Sequence, residues 1–529
     1  MPQAYVVMKH ISKRFGTVQA NDDVEMSVDQ GEILAILGEN GSGKSTLVNM
    51  LSGIYIPDAG SILINGERRF FRSPQDAIAA GIGMVHQHFK LIPVMNAWEN
   101  ISLGEKGRRG QPRLRTLFLQ KKGIIEKIRG LEERFGLHTQ HTKKIYDMSV
   151  SEKQTVEILK VLYRGASVLI LDEPTAVLTP QETTRLFAML RAMKDDGCAI
   201  IIITHKLQEV MEISDRVTVL RKGKSLGTVY TKGSSPRELT ELMVGARISL
   251  EIRREKPAAR ERPLLEVRSL SLKDPEGVQI LDAMDFDVFP GEILGVAGIA
   301  GSGQKELCEI ITGLRRPDGG SVRFLGENLL GLSPRGIKQK GIRLSFIPED
   351  RLGMGLAAGM SITDNILLGS YDHTPGPLID RLKGRAEAET IVERYAISTP
   401  SVQHIVKNLS GGNIQKVLLG RELERQPRLL ITAYPVRGLD IGASYSIYGM
   451  LNVQKKRGVG ILFIGEDLDV LQELSDRIMV MHRGRVMDMV YPPGAAGAEG
   501  KSPVSKEDLG LLMLGHTVEG YDAAHSQQE

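Results

Sequence analysis

The chain has 529 residues, 41% hydrophobic and 25% charged, which is an ordinary globular composition at a length that excludes a single hydrophobic core. A net charge of only +4 gives no reason to expect nucleic acid as a partner. Two cysteines, Cys198 and Cys308, are too few for a disulfide framework or a zinc site. Since no apolar run approaches the roughly 20 residues of a membrane span, we expect at least two domains and only peripheral contact with membranes.

The first elements predicted along the chain surround a glycine-rich loop. Val24, Met26 and Val28 alternate with polar residues, as in a half-buried strand, and residues 33–37 form an apolar run typical of a buried strand. A helical pattern begins near residue 46. The loop between strand and helix matches G-x-x-x-x-G-K-[ST] and consists of Gly38, Glu39, Asn40, Gly41, Ser42, Gly43, Lys44, Ser45 and Thr46.

This context predicts a phosphate-binding loop. Its glycines let backbone N–H groups curl around an anion, and the helix N-terminus adds positive potential. Lys44 is expected to reach the β- and γ-phosphates, and Ser45 to supply a hydroxyl ligand to Mg²⁺. A glycine-rich turn that binds nothing is the alternative, which the register of strand, loop and helix disfavours.

The middle of the first half reads as mostly helical between residues 96 and 163. Residues 168–171 and 199–203 are apolar runs that predict strands buried on both faces of a parallel sheet. Between them, Thr179 is followed by Pro180 and Glu182, which predicts a helix start with a capping box. Strands that alternate with helices indicate an α/β fold with a mainly parallel sheet.

Several polar side chains follow the predicted strands, where ligands bind in such sheets. Asp172 is expected to hold Mg²⁺ through water, and Glu173 to orient or deprotonate an attacking water. His205 follows the next strand, beside the predicted phosphate site, and Gln87 offers a neutral side chain to metal or water. Phe15 could stack on adenine, although a core position is nearly as good an interpretation. A surface turn at Asp172 and Glu173 and a structural role for His205 are the weaker alternatives.

The chain also repeats itself. Gly31-Glu32-Ile33-Leu34 recurs 260 residues later as Gly291-Glu292-Ile293-Leu294, and Ser214-Asp215-Arg216 recurs 261 residues later as Ser475-Asp476-Arg477. Such a period is that of a duplicated domain. We place the first copy at 5–247, a charged and proline-containing linker at 248–263 that we expect to be solvated, the second copy at 264–508 and a tail at 509–529, which is expected to be disordered from residue 515.

These residues together resemble a known family. The loop 38–46, Gln87, the run Leu171-Asp172-Glu173-Pro174-Thr175 and His205 are similar to the motifs of ATP-binding cassette (ABC) ATPases, and Leu409-Ser410-Gly411-Gly412-Asn413 resembles their signature loop. The resemblance implies two tandem cassettes, each with a mainly parallel sheet core, an antiparallel β subdomain and a helical subdomain.

Finer features narrow the resemblance. The runs 174–180 and Pro348-Glu349-Asp350-Arg351 are similar to the tandem-cassette subunits of bacterial sugar and nucleoside importers, and most of all to the nucleoside branch, which includes riboflavin importers. The resemblance implies peripheral attachment at the cytoplasmic face of the inner membrane, with integral-membrane permease subunits as partners and an extracytoplasmic solute-binding protein beyond them. In this family the region after Gln87, which here includes Trp98, receives a permease helix, with local core packing as the alternative.

The resemblance also implies how the copies cooperate. In the family, two cassettes face each other head to tail, and each ATP with its Mg²⁺ lies between the phosphate loop of one and the signature loop of the other. Ser410, Gly411 and Gly412, together with Asp440, are therefore expected to complete the site that the loop 38–46 begins.

The two copies depart from the family pattern in opposite ways. At the repeat offset the second copy has Gln304 for Lys44, Lys305 for Ser45, Ala433 for Asp172, Tyr434 for Glu173, Glu349 for Gln87 and Glu466 for His205. The first copy instead has a degraded signature, Met148-Ser149-Val150-Ser151-Glu152, and Thr179 where the second has Asp440. Head-to-tail pairing puts every competent part in one composite site, which predicts one hydrolytic and one catalytically silent site.

Three other functions compete with that of an importer ATPase. Tandem-cassette ATPases that act on ribosomes usually keep both sites competent and have a long charged linker, unlike this chain. A DNA-repair cassette protein needs zinc-ligating cysteine pairs, and a regulatory pseudo-ATPase conflicts with the complete first site. The ribosomal ATPase remains the main alternative.

Overall fold

The computed structural model describes residues 4–87, 89–104, 113–176, 178–204, 206–245, 252–255, 262–370, 379–495 and 503–518, apart from the side chains of 113–120 and 370. The chain divides into two compact units, Met1–Ser249 and Leu250–Glu529. We call them the first unit and the second unit. Within the described residues, no helix is long and apolar enough to cross a membrane.

The first unit alternates strands and helices as the sequence predicts. Its strands are β1 Val6–Phe15, β2 Val18–Val28, β3 Ile33–Gly38, β4 Ala59–Ile64, β5 Glu67–Arg69, β6 Ile82–Val85, β7 Val168–Asp172, β8 Ala199–Ile203, β9 Arg216–Arg221 and β10 Lys224–Tyr230. Its helices are α1 Lys44–Leu51, α2 Pro74–Ala79, α3 Ala97–Ser102, α4 Arg113–Phe135, α5 Val150–Tyr163, α6 Pro180–Asp195, α7 Leu207–Ile213 and α8 Pro236–Val244.

Two sheets organise these strands. The order β10-β9-β3-β8-β7-β6 makes a six-stranded sheet in which only the edge pair β9–β10 is antiparallel. Every residue of β3 and β8 is buried, as apolar runs covered on both faces require. The order β2-β1-β4-β5 makes a separate antiparallel sheet, in which Val24, Met26 and Val28 are the buried alternate residues. Residues 96–163 supply α3, α4 and α5, which share their own small core.

The second unit repeats this plan. Its strands are β11 Leu265–Lys273, β12 Gln279–Val288, β13 Ile293–Gly298, β14 Gly319–Phe324, β15 Glu327–Asn328, β16 Leu344–Ile347, β17 Leu429–Ala433, β18 Gly460–Ile464, β19 Arg477–His482 and β20 Arg485–Val490. Its helices are α9 Gln304–Ile311, α10 Pro334–Gln339, α11 Ile362–Ser370, α12 Arg381–Arg394, α13 Gly411–Glu424, α14 Ile441–Lys456, α15 Leu468–Leu474 and α16 Lys506–Met513. The sheets run β16-β17-β18-β13-β19-β20 and β12-β11-β14-β15. The predicted fold class is confirmed.

The linker prediction needs a correction. Its described part, residues 252–255, is bound to the second unit instead of being solvated. Arg254 donates to the carbonyls of Pro493 at 2.9 Å, Glu473 at 3.2 Å and Gln472, and Ile252 packs against the core. Two of these three carbonyls belong to the last turn of α15. The charged neighbours of Arg254 in sequence give no indication that its guanidinium has these partners.

The tail boundary also needs a correction. Helix α16 crosses residue 509, and Leu509, Leu512 and Met513 are buried against the core of the second unit. His482 Nδ1 lies 2.8 Å from the carbonyl oxygen of Met513, which ties the end of the helix to β19. The ordered chain therefore continues past the predicted boundary, and residues 519–529 lie outside the described part.

Candidate ATP site

The loop between β3 and α1 has the backbone of an anion cradle. Gly43 precedes the helix with a left-handed φ of 98°. A Cβ placed there would lie 2.4 Å from the carbonyl oxygen of Ala20, and one at Gly38 would lie 2.3 Å from that of Leu220. Because no side chain could be accommodated at these distances, both positions require glycine. The predicted strand, loop and helix are all found in that order.

Lys44 lies folded over this loop. Its side chain is buried, and its ammonium donates to the carbonyls of Gly38 at 2.7 Å and Glu39 at 2.9 Å. Burial lowers the pKa of Lys44, while the nearby Glu173, Asp172 and Glu39 act in the opposite direction. The ammonium therefore lies against the loop, where a bound anion would replace the carbonyls of Gly38 and Glu39 as its partner.

Asp172 is the last residue of β7 and Glu173 follows it, and both share this electrostatic environment. Burial, and then the charge of Glu173, raise the pKa of Asp172 to about 6, against the pull of Lys44. A buried carboxylate next to another carboxylate is stabilised by a nearby cation. Mg²⁺ takes one or two carboxylates together with phosphate oxygens, so these residues fit the ion. Ser45, on the first turn of α1, is exposed.

Glu173 is held by its backbone as well as its side chain. It adopts a left-handed φ of 48°, and its N–H donates to the carbonyl of Ile203 at 2.8 Å. The Nε2 of Gln87 donates to Glu173 Oε2 at 2.8 Å. The structure thus brings together four of the predicted residues. They are Lys44 at the start of α1, Asp172 and Glu173 at the end of β7, and Gln87 after β6. His205 lies outside the described residues.

Phe15 is a surface residue and not part of the core. Its side chain is 42% exposed, and it packs edge-on against Tyr55 with ring centroids 5.2 Å apart. The ammonium of Lys13 lies 5.6 Å from the ring centroid. The contact of Phe15 with Tyr55 was not predicted. Tyr55 follows α1 in the sequence, and nothing in that position indicates that its ring packs against Phe15. In the second unit Asp274 stands at the position of Phe15, because the pairing of Arg14 with Gln19 corresponds to that of Lys273 with Gln279. The second unit therefore has no aromatic ring at this position.

The corresponding loop of the second unit keeps the backbone and changes the side chains. Gly303 has a φ of 97°, close to that of Gly43. Gln304 is buried and donates to the carbonyl of Ile299 at 3.2 Å, which copies the position of Lys44 without its charge. The Lys305 side chain is 70% exposed and lies 3.8 Å from Glu309. Tyr434 repeats the left-handed φ of Glu173, at 49°.

The signature loop of the second unit lies next to Asp440. Ser410 caps α13, and Gly411 is exposed. A Cβ at Gly412 would lie 3.0 Å from that of Ala443, on the first turn of α14. Asp440 caps the same helix by accepting from the Ala443 N–H at 2.7 Å. Helix α13 therefore begins at a surface where backbone N–H groups can receive an anion.

The corresponding residues of the first unit are structured as ordinary helix caps. Ser149 and Glu152 form a capping box at the start of α5. Val150 follows Ser149 with an exposed side chain, so a Cβ stands where the second unit has Gly411. Thr179 forms the predicted capping box at the start of α6.

Trp98 packs locally. It lies against the small core of α3, α4 and α5, and its indole nitrogen is buried with no hydrogen-bond partner among the described residues. The ammonium of Lys121 is 5.7 Å from the ring centroid. These contacts favour the local-packing interpretation of the single tryptophan.

Comparison with known proteins gives consistent matches over nearly the whole chain. A family model described as ABC transporter matches residues 21–176 and 281–435. A glucose import ATP-binding protein of Haloferax volcanii is 40% identical over 97% of this chain and 96% of its own length. A nucleoside import ATP-binding protein of Lactococcus lactis is 40% identical over 98% and 99% of the two chains. A guanosine import ATP-binding protein of Bacillus subtilis is 41% identical over 97% and 98%.

Proposed function

Because this chain belongs to the ABC transporter family, as a tandem-cassette ATPase, we propose that it drives import of a small solute through one hydrolytic ATP site. That site pairs the phosphate loop of the first unit with the signature loop of the second. The other pairing, which combines Gln304 and Lys305 with Ser149 and Val150, is proposed to be catalytically silent.

The observation that carries this proposal is the distribution of intact and degraded parts. The first unit has the buried lysine, the carboxylate pair and the aromatic platform, while the second has the glycine signature and the aspartate cap. Independent decay would leave intact and degraded parts mixed within each pairing. Head-to-tail pairing instead collects all intact parts at one site.

The first unit supplies charge and geometry for the reaction. Lys44 lies where it can offset negative charge that develops on transferring phosphate oxygens, which is the main catalytic contribution in phosphoryl transfer. Gln87 holds the carboxylate of Glu173 at 2.8 Å, so that Glu173 can accept a proton from the attacking water. Ser45 and Asp172 are the residues proposed to hold Mg²⁺, which supplies further neutralisation of phosphate charge when it is bound.

Closure explains why hydrolysis can do work on a partner. Signature amides that reach the nucleotide only when the units close would favour the closed state while the γ-phosphate is present, and hydrolysis removes that preference. The relatives are named as import ATP-binding proteins, which supports separate permease subunits as the recipients of this motion. We propose that the chain binds them at the cytoplasmic face of the membrane and works with an extracytoplasmic solute-binding protein.

The names of the relatives support a proposal for the class of solute. Their names assign import of glucose, nucleosides and guanosine, and others assign ribose. A nucleoside is our first candidate, with riboflavin or a simple sugar next. The experiment is to reconstitute the chain in proteoliposomes with any permease and solute-binding protein encoded beside its gene, and to measure which solute stimulates ATP hydrolysis.

Matched variants at repeat-related positions test the one-site mechanism. Glu173→Gln should lower turnover by about 10²–10⁴-fold and leave ATP binding in place, whereas Tyr434→Phe should have little effect. Similarly, Ser410→Arg should block the competent site, and Ser149→Arg should leave the rate close to that of the unmodified chain. Equal losses within either pair would contradict the proposal.

A further inference from the structure

An ion cluster occupies the strand ends of the second unit where the first unit has its catalytic residues. The guanidinium of Arg437 pairs with Glu349, and its Nε lies 3.0 Å from Glu466 Oε1. It also lies 5.9 Å from the ring centroid of Tyr434. Glu349, Tyr434 and Glu466 are the counterparts of Gln87, Glu173 and His205. Arg437 therefore contacts all three degenerate positions, through two ion pairs and one cation–π contact.

The first unit has a different residue at the position of this arginine. The residue 261 positions before Arg437 is Ala176, and the contact between the corresponding loops is the hydrogen bond from Gln87 to Glu173. The first unit has one hydrogen bond here, from the neutral Gln87 to Glu173. The second unit has two ion pairs instead, which Arg437 forms with two glutamates. The three changes are complementary in charge.

The same arginine belongs to the turn that carries Asp440. The carbonyl oxygen of Arg437 accepts a hydrogen bond from Arg351, and an Arg351 guanidinium nitrogen lies 3.6 Å from the point where a Cβ of Gly411 would stand. On its other side, Gly412 lies against Ala443 and Asp440. The turn 434–440 thus underlies the signature loop directly.

The two units also differ in the glutamine that follows the signature position. In the first unit Gln154, in the helix that follows the signature position, donates to the carbonyl of Pro174 at 2.8 Å. Its counterpart Gln415 is fully buried, and neither atom of its amide has a hydrogen-bond partner among the described residues. Because Gln415 does not make this link, Arg351 and Arg437 provide a polar connection between turn, strand ends and signature loop.

We propose that Arg437 is a positioning residue for ATP hydrolysis, which holds the turn 434–440 and the signature loop in place through Glu349, Glu466 and Arg351. This inference rests on the proposed function, in which that loop completes the competent site. It gives the degenerate catalytic positions of the second unit a structural role, because they fix the loop that the second unit contributes.

The experiment compares Arg437→Met with Arg437→Lys in the full-length chain. Arg437→Met removes the charge at nearly constant length, and we expect kcat to fall by about ten- to hundredfold, the scale of a misplaced catalytic group. The Kd for ATP should stay unchanged, because the loop that holds the nucleotide is untouched. Exposed ion pairs contribute little to folding, so the unfolding midpoint should not move. Arg437→Lys should recover much of the loss.

Two controls separate this inference from the proposed function. Arg485→Met removes an exposed ion pair with Asp282 in the same unit and should leave kcat unchanged. Ser410→Arg should be inactive, and full turnover by Ser410→Arg would overturn the composite site and this inference together. An inactive Ser410→Arg beside a fully active Arg437→Met would overturn the positioning role alone. An equal drop in kcat, ATP affinity and unfolding midpoint, or a lysine variant no better than methionine, would do the same.

Discussion

The buried ion pair between Lys455 and Asp476 offers a quantitative test of how the second unit is stabilised. The two side chains are 1% and 0% exposed and lie 2.7 Å apart, and Asp476 also accepts from the N–H of Ile293 at 2.8 Å. Burial lowers the pKa of Lys455 and raises that of Asp476. Removing one partner of a buried pair typically costs about 3–5 kcal/mol, because it leaves an uncompensated charge.

The repeat supplies a matched control. Lys194 and Asp215 form the same pair in the first unit at 2.6 Å, with exposures of 29% and 37%. Partly exposed pairs contribute about 0–1 kcal/mol. The two pairs differ in exposure. In the second unit Lys455 also donates to the carbonyl of Glu255, so the segment 252–255 covers the pair. We therefore expect Lys455→Met to cost several times more than Lys194→Met.

Urea unfolding of the full-length chain measures both changes, and hydrogen exchange in β13 and β19 assigns the loss to the second unit. In Lys455→Met the folded-state pKa of Asp476 rises further above its unfolded value, so the folded protein takes up a proton as the pH falls. The stability lost in Lys455→Met should accordingly become smaller as the pH falls, by about 1.4 kcal/mol for each pH unit in the range where Asp476 takes up its proton. A Lys455→Met cost no larger than that of Lys194→Met, or one independent of pH, would refute the reasoning.

Three further changes test the site and the linker. With the pKa of Asp172 near 6, Mg²⁺-ATP binding should weaken as the pH falls below about 6, and Asp172→Asn should remove that part of the dependence in a binding titration from pH 5 to 8. Phe15→Ala should raise the Kd for ATP about tenfold, since base stacking is worth about 1–3 kcal/mol. Pro275→Ala, an exposed position in the corresponding hairpin turn of the second unit, should not. Arg254→Ala should lower the free energy of unfolding by about 1 kcal/mol, because it removes hydrogen bonds to three carbonyls of which only one is partly buried, and unchanged urea unfolding would contradict this.

The elements that the sequence predicted are those determined locally. Apolar runs such as 168–171 and 199–203 predicted buried strands, and the capping box at Thr179 predicted the start of α6, because each depends on neighbours within a few residues. The convergence of Gln87 and Glu173 could be expected from a general rule about strand ends, without any knowledge of their contact distance.

Features that depend on distant partners were not accessible in this way. The charged segment 248–263 resembles a solvated linker, and only the carbonyls of residues 472, 473 and 493 make part of it a docked segment. Likewise, Asp440 is the one charged residue close to Arg437 in sequence, whereas the glutamates that pair with Arg437 are 88 residues before it and further along the chain. Aligning the two copies of the repeat could have shown that Arg437 replaces Ala176. That substitution indicates a new role for Arg437, but it does not identify the glutamates that pair with it.

The two copies also show which unusual feature belongs to the fold and which to the chemistry. Glu173 and Tyr434 both have a left-handed φ, 48° and 49°, and both N–H groups donate to the end of the neighbouring strand, at 2.8 and 2.9 Å. A non-glycine residue in this conformation costs about 1–2 kcal/mol. If the strain served proton transfer, a copy with tyrosine at this position would gain nothing by keeping it. The strain instead follows from the turn that leads each strand into its polar loop. If the proposed function is right, the carboxylate of Glu173, and not its backbone, distinguishes the proposed hydrolytic site from the proposed silent one.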